Sequence, residues 1–119
     1  MPSRVMAAEQ NIAAAMTRLG MIYHNAIGVE RDPAEAASWW RRAAERGDAD
    51  GQAMLGAALH LGAGVACERP AALAWLLRAQ RGGSPLAAPF LQPARALLSP
   101  AEIAEAERLA AAPLPEVSP

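Results

Sequence analysis

The sequence predicts an all-α protein built from two copies of a helical hairpin, and three observations lead there. Alanine occupies 31 of the 119 positions, whereas Val, Ile and Thr together occupy nine. Alanine loses no side-chain entropy in a helix and β-branched residues do, so sheet is disfavoured. Second, sliding the chain against itself by 36 residues, without a gap, gives eleven identities in 35 positions. Alanine matches are frequent in such a composition. The weight falls on Gly20 with Gly56, Gly28 with Gly64, Gly47 with Gly83, Trp39 with Trp75 and His24 with His60. Third, turn and cap residues sit between the apolar runs at the same phase in both copies.

The elements follow in order. Ile12, Met16, Leu19 and Tyr23 recur at the spacing of one helical stripe. Gly28-Val29 marks a loop, and Asp32-Pro33-Ala34-Glu35 starts a second helix with an N-cap, a first-turn proline and a capping-box glutamate. That helix holds Ala36, Trp39 and Ala43 and stops at Arg46-Gly47. Asp48 caps a third helix carrying Ala53, Leu55 and Leu59, and Glu68-Arg69-Pro70 opens a fourth with Leu73, Trp75, Leu76 and Ala79. Repeat 1 thus covers about 12–47 and repeat 2 about 48–83. A degenerate third unit occupies 84–98, where Pro89 and Pro93 predict a helix that is short, kinked or delayed to about Pro93. Ser99-Pro100-Ala101-Glu102 launches a closing helix over 100–112. Residues 1–112 read as one domain, with a disordered tail over 113–119.

Composition excludes several function classes. All eleven basic residues are Arg, so no P-loop lysine, Schiff base or Ser-x-x-Lys pair is available. A net charge of −1 with interspersed signs disfavours nucleic acid. Cys67 is the sole cysteine, and no apolar run approaches a membrane span. No signal peptide is evident, so the chain reads as soluble and cytoplasmic, or periplasmic if a leader has been removed. No catalytic residue, cofactor or metal is expected. His24 and His60 are too few ligands for zinc. Asp48 and Asp50 could form an acid–base pair, but their place at a helix start is explained by capping. The Arg41-Arg42-Glu45-Arg46 run reads as a solvated face with an Arg41–Glu45 pair. Trp39 and Trp75, at matching phase, are expected to plug the core, with Trp40 packing between repeats or partly exposed. Gly20 and Gly56, inside helices, imply close approach of the partner helix.

The pattern Leu19-Gly20-x-x-Tyr23, Gly28-Val29-x-x-Asp32, Ala36-x-x-Trp39-x-x-x-Ala43-Ala44-x-x-Gly47 resembles the Sel-1-like repeat, a branch of the tetratricopeptide-type α/α solenoids. The second copy departs from it at Gly51, Leu59 and Glu68, and the resemblance covers about 12–98. It implies a right-handed α/α superhelix of two full repeats, a degenerate third and a capping helix. It also implies an adaptor or scaffold of bacterial type, binding a peptide or helix of another protein. β-Lactam activity described for some members is not carried over, because the Ser-x-x-Lys chemistry is impossible here. Alignment with tetratricopeptide positions places Thr17, Met21, His24 and Asn25 on the inner face, joined by Asp50, Ala57, His60 and Leu61. Met21 would supply apolar contact, Asn25 orientation and Ala57 close approach. The alternative is an accessory subunit or homodimer docking through the N-terminal end, where Val5, Ile12 or Met16 would be exposed.

Overall fold

A computed structural model describes residues 4–114, with side chains from Glu9 onward. Among the described residues there are six α-helices and no strand: α1 (Arg4–Asn25), α2 (Pro33–Glu45), α3 (Ala49–Leu61), α4 (Arg69–Arg81), α5 (Ala88–Ala96) and α6 (Pro100–Ala111), with a 3₁₀ turn at Pro85–Ala87 before α5. The bounds of α2 and α4 differ by 36 residues at both ends, as the sequence period requires. Helix α3 matches the C-terminal part of α1, which extends further toward the N-terminus. None of these helices is long and apolar enough to cross a membrane.

Each helix packs on its neighbour in the chain from α1 to α4, α1 also touches α3, and α6 lies against α4. The chain is therefore an α/α solenoid. One core cluster joins the hairpins through Ala36, Ala37, Trp40, Ala44, Leu55, Ala58, Leu59 and Ala72. A second lies between α4 and the C-terminal helices, around Leu73, Leu76, Leu77, Ala87, Ala94 and Ala106.

The turns close with the same two bonds. After α2, Gly47 (φ 90°) donates to the Ala44 carbonyl and Asp48 to that of Ala43. After α4, Gly83 (φ 88°) donates to Gln80 and Ser84 to Ala79. Both are Schellman closures, which need a left-handed residue and satisfy the last helical carbonyls. Asp32 accepts from the Glu35 N–H at 3.0 Å, and Asp48 from that of Gly51 at 2.9 Å. At Ser99 the reciprocal capping box forms, and the bond from the Ser99 N–H holds the Glu102 carboxyl below its ordinary pKa. At Asp32 no reciprocal bond forms, because its N–H already donates to the Tyr23 carbonyl, as Glu68 N–H does to Leu59. Glu68 itself makes no side-chain cap.

The third unit is short rather than delayed. Helix α5 begins at Ala88 and runs through Pro93: Pro89 falls in the first turn, where its missing N–H costs no ladder bond, and Pro93 alone removes one. The expected Arg41–Glu45 pair is not among the ion pairs of the described residues, which are Arg95–Glu107 and Glu105–Arg108. Of the expected tail, Leu114 is half-buried with its Cδ1 close to Gly47, and residues 115–119 lie outside the described region. Of the expected exposed apolar residues, Ile12 is open but Met16 is buried, at 9% exposure, and the Val5 side chain falls outside the described ones.

Helix α1 ends on Ala26, an alanine held at φ 55°, where the second copy has Gly62 at φ 68°. The left-handed region strains an L side chain and not glycine. Ala26→Gly is therefore expected to raise stability by about 1 kcal/mol, read as an upward shift of the urea midpoint. A fall in the midpoint would show that the turn is not strained.

Candidate functional site

The direct contact between α1 and α3 places the first helices of the two hairpins side by side. How their side chains are held decides what this face offers.

Packing begins with a tryptophan. Trp40 is only 3% exposed, and its indole lies against Gly20, where any Cβ would overlap the ring. Its Nε1 donates to the Thr17 carbonyl at 3.2 Å. One period on, Leu76 is buried against Gly56, where a Cβ would come within 2.8 Å of the leucine Cγ. The two helical glycines thus admit the close approach expected of them. The plug, however, is Trp40 and its counterpart Leu76, not Trp39 and Trp75. Those two tryptophans are half-buried, each beneath the arginine three residues on: Arg42 lies 4.4 Å above the Trp39 ring and Arg78 5.2 Å above that of Trp75. This is cation–π geometry at one helical turn. Arg78 also donates to the Leu109 carbonyl at 2.7 Å and so ties α6 to α4. Burial, and then the charge of Arg81, lower its pKa.

Several expected inner-face residues are held within the fold. Thr17 is buried, and its hydroxyl bonds the Asp48 carboxylate at 2.5 Å, linking α1 to the cap of α3. Ala57 is buried as well. Neither presents a surface, which corrects their assignment to an open face. Asp50 is exposed but accepts from the Ser84 hydroxyl at 2.7 Å. Both carboxylates of the candidate acid–base pair are therefore engaged in joining one repeat to the next. Met21 packs against the first core cluster.

Exposure increases toward the C-terminal turns of α1 and α3. His24 is half-buried, with its ring 5.6 Å from that of Trp40 and tilted by 53°. His60 is half-buried at the equivalent place, while Asn25 is open and Leu61 is 65% exposed. The carbonyls of both histidines accept a bond from a side chain seven residues on, Arg31 Nε at 3.3 Å and Cys67 Sγ at 3.5 Å. Arg31 and Cys67 share no chemistry beyond donating, so identity matching overlooks the pair. Among the described residues no three His, Cys, Asp or Glu side chains are grouped to hold a metal.

A family model for the Sel1 repeat matches residues 13–48 and 49–84. The chain belongs to the Sel1 repeat family. Proteins of this family are in general protein–protein interaction modules, and their fold is typically a non-catalytic scaffold. Among solved structures, a protective antigen of uropathogenic Escherichia coli with an SLR fold is similar at 28% identity and a TM-score of 0.75, covering 82% of this chain and 21% of that one. A Sel1 repeat protein from Oxalobacter formigenes is similar at 36% identity and a TM-score of 0.65, covering 68% of this chain and 24% of that one. The chain therefore spans between a fifth and a quarter of either. Comparison with curated proteins finds no match.

Within the Sel1 repeats, the adjacent Trp39 and Trp40 separate structural from surface roles. Trp40→Ala is expected to lower stability by about 3–5 kcal/mol, the loss typical of a buried aromatic, and Trp39→Ala by clearly less. Equal shifts of the urea midpoint would contradict that ordering.

Proposed function

We propose that this protein is a non-catalytic adaptor that holds a peptide or helix of a partner protein against the C-terminal turns of its first helices. The observation that carries the reading is Leu61. It is 65% exposed on α3, two residues after Leu59, which is 1% exposed in the core. An exposed leucine beside half-buried His60, with Asn25 and half-buried His24 one repeat away, combines apolar contact with hydrogen-bonding groups. That mixture suits recognition of a partner segment. The bonds from Arg31 and Cys67 to the two histidine carbonyls hold these helix ends in place before a partner docks, and such preorganisation lowers the cost of binding.

The test follows from which of these residues the core does not use. Met21 is part of the core, so charging it would confuse folding with binding. Asn25 and Leu61 are free of that difficulty. Proteins retained by the immobilised chain are identified, and the affinity of the partner is measured for Asn25→Glu/Leu61→Glu and for Arg42→Glu on the second-helix side. The double variant should weaken binding at least tenfold, with helicity unchanged, and Arg42→Glu should bind normally. The opposite ranking would move the binding surface to the second helices.

A further inference from the structure

The two ends of the solenoid differ. At the C-terminal end α6 lies over α4 and turns Glu102, Glu105, Glu107 and Arg108 outward, a polar finish of the kind that closes a repeat array. Among the described residues, the N-terminal end has no such cover. Ile12, Ile27 and Val29 are all exposed there, Ile27 at 61% and Val29 at 40%.

The interior of the molecule shows what such an end is shaped to receive. In the second copy, the loop after α3 packs on the start of α2. Gly64, at φ 76°, lies so close to the Pro33–Ala34 peptide that any Cβ would overlap it, and Val65 packs against the cluster containing Ala36, Ala37 and Trp40. In the first copy the same positions are Gly28 and Val29. Gly28 has the same left-handed backbone, φ 72°, yet a Cβ there would meet none of the described residues within 4 Å. Among the described residues, no helix lies against Gly28 as α2 lies against Gly64.

The geometry points to an occupant: the open end at Gly28 and Val29 docks the second helix of a helical repeat belonging to another chain, so that this protein continues and closes a longer solenoid. The required ligand is a helix whose first turn brings a proline carbonyl to Gly28, followed by small residues that let Val29 and Ile27 pack, as Pro33-Ala34-Glu35-Ala36-Ala37 does for Gly64 and Val65. The turn that joins α2 to α3, Arg46–Asp48, corresponds to Gln10–Ile12, and these residues are helical within α1. A preceding hairpin therefore cannot join through that turn. A second copy does not supply the helix either, because its α2 start is covered by its own Gly64 loop and its α4 by α6. The contact uses neither Asn25 nor Leu61, so its failure would leave the reading of those residues intact.

The probe is a synthetic peptide of residues 31–47 in which positions 38 and 42, both exposed in α2, are replaced by Glu and Lys and joined by a lactam. The bridge is needed because an isolated helix of this length is marginal in water. Binding of the labelled peptide to the full chain is followed by fluorescence anisotropy. Wild type should bind. Val29→Arg, and independently Ile27→Arg, should weaken binding at least tenfold with the circular dichroism spectrum unchanged. Leu97→Arg, at an exposed leucine outside this end, and Asn25→Glu/Leu61→Glu should leave it unaltered. Absence of wild-type binding overturns the proposal. So does binding insensitive to Val29 and Ile27, which would mean that the peptide has exchanged with the chain's own α2. A dimer of the free chain that sedimentation shows to dissociate on Val29→Arg would also overturn it, by making a second copy the occupant.

Discussion

The indole of Trp40 against the backbone of Gly20 sets the spacing of the first hairpin, and much else depends on that contact. Glycine inside a helix costs about 1 kcal/mol relative to alanine, and here it occurs at the same place in both copies. What offsets it is burial of a large side chain directly on the neighbouring backbone. The indole N–H then finds the Thr17 carbonyl, which leaves the ring satisfied as well as buried. With Trp40 seated there, His24 is brought beside its ring, and the residues beyond it emerge toward solvent. The candidate binding face is therefore a by-product of how the core is filled.

Joining one hairpin to the next is a different problem, and polar groups solve it. Asp48 and Ser84 occupy equivalent positions at the start of a new unit, and each reaches back to the first helix of the unit before. The Asp48 carboxylate accepts a hydrogen bond from the Thr17 hydroxyl, while the Ser84 hydroxyl donates one to the Asp50 carboxylate. The partners lie at different registers on that helix, about one turn apart, and their donor and acceptor roles are reversed. The function of the position survives although its chemistry has changed. A carboxylate pair that could have suggested catalysis is accounted for by these links.

The fold was legible in the sequence because its signals are local. Schellman glycines and Asp and Ser caps each act within a few residues of the chain, and the gapless 36-residue period repeats them once per hairpin. The candidate face was less legible, and the tryptophans show why. Trp39 and Trp75 are identical across the repeat, and identity pointed to them as core. Burial follows instead the positions facing Gly20 and Gly56, where the residues are Trp40 and Leu76 and no identity exists. Met16 and Thr17 were similarly hidden, since a helical stripe does not reveal which of two adjacent residues a neighbouring cap will claim. At Asp32 the capping box was half right. Its second bond requires an N–H that the Tyr23 carbonyl, nine residues back, has already taken.

The near-neighbour pattern of contacts also governs how the molecule comes apart. Nearly every packed pair of helices is adjacent in the chain or one helix removed, so the contact order is low and assembly can start within a single hairpin. Stability in such an array is close to a sum of unit terms and nearest-neighbour couplings. The second hairpin is coupled on both sides, to α2 through the Gly64 loop and to α6 through Arg78. Among the described residues, the first is coupled to the second alone. Among the described residues the first hairpin thus has the fewer couplings, and a helix bound at Gly28 and Val29 would add the one it lacks and stabilise it by linkage.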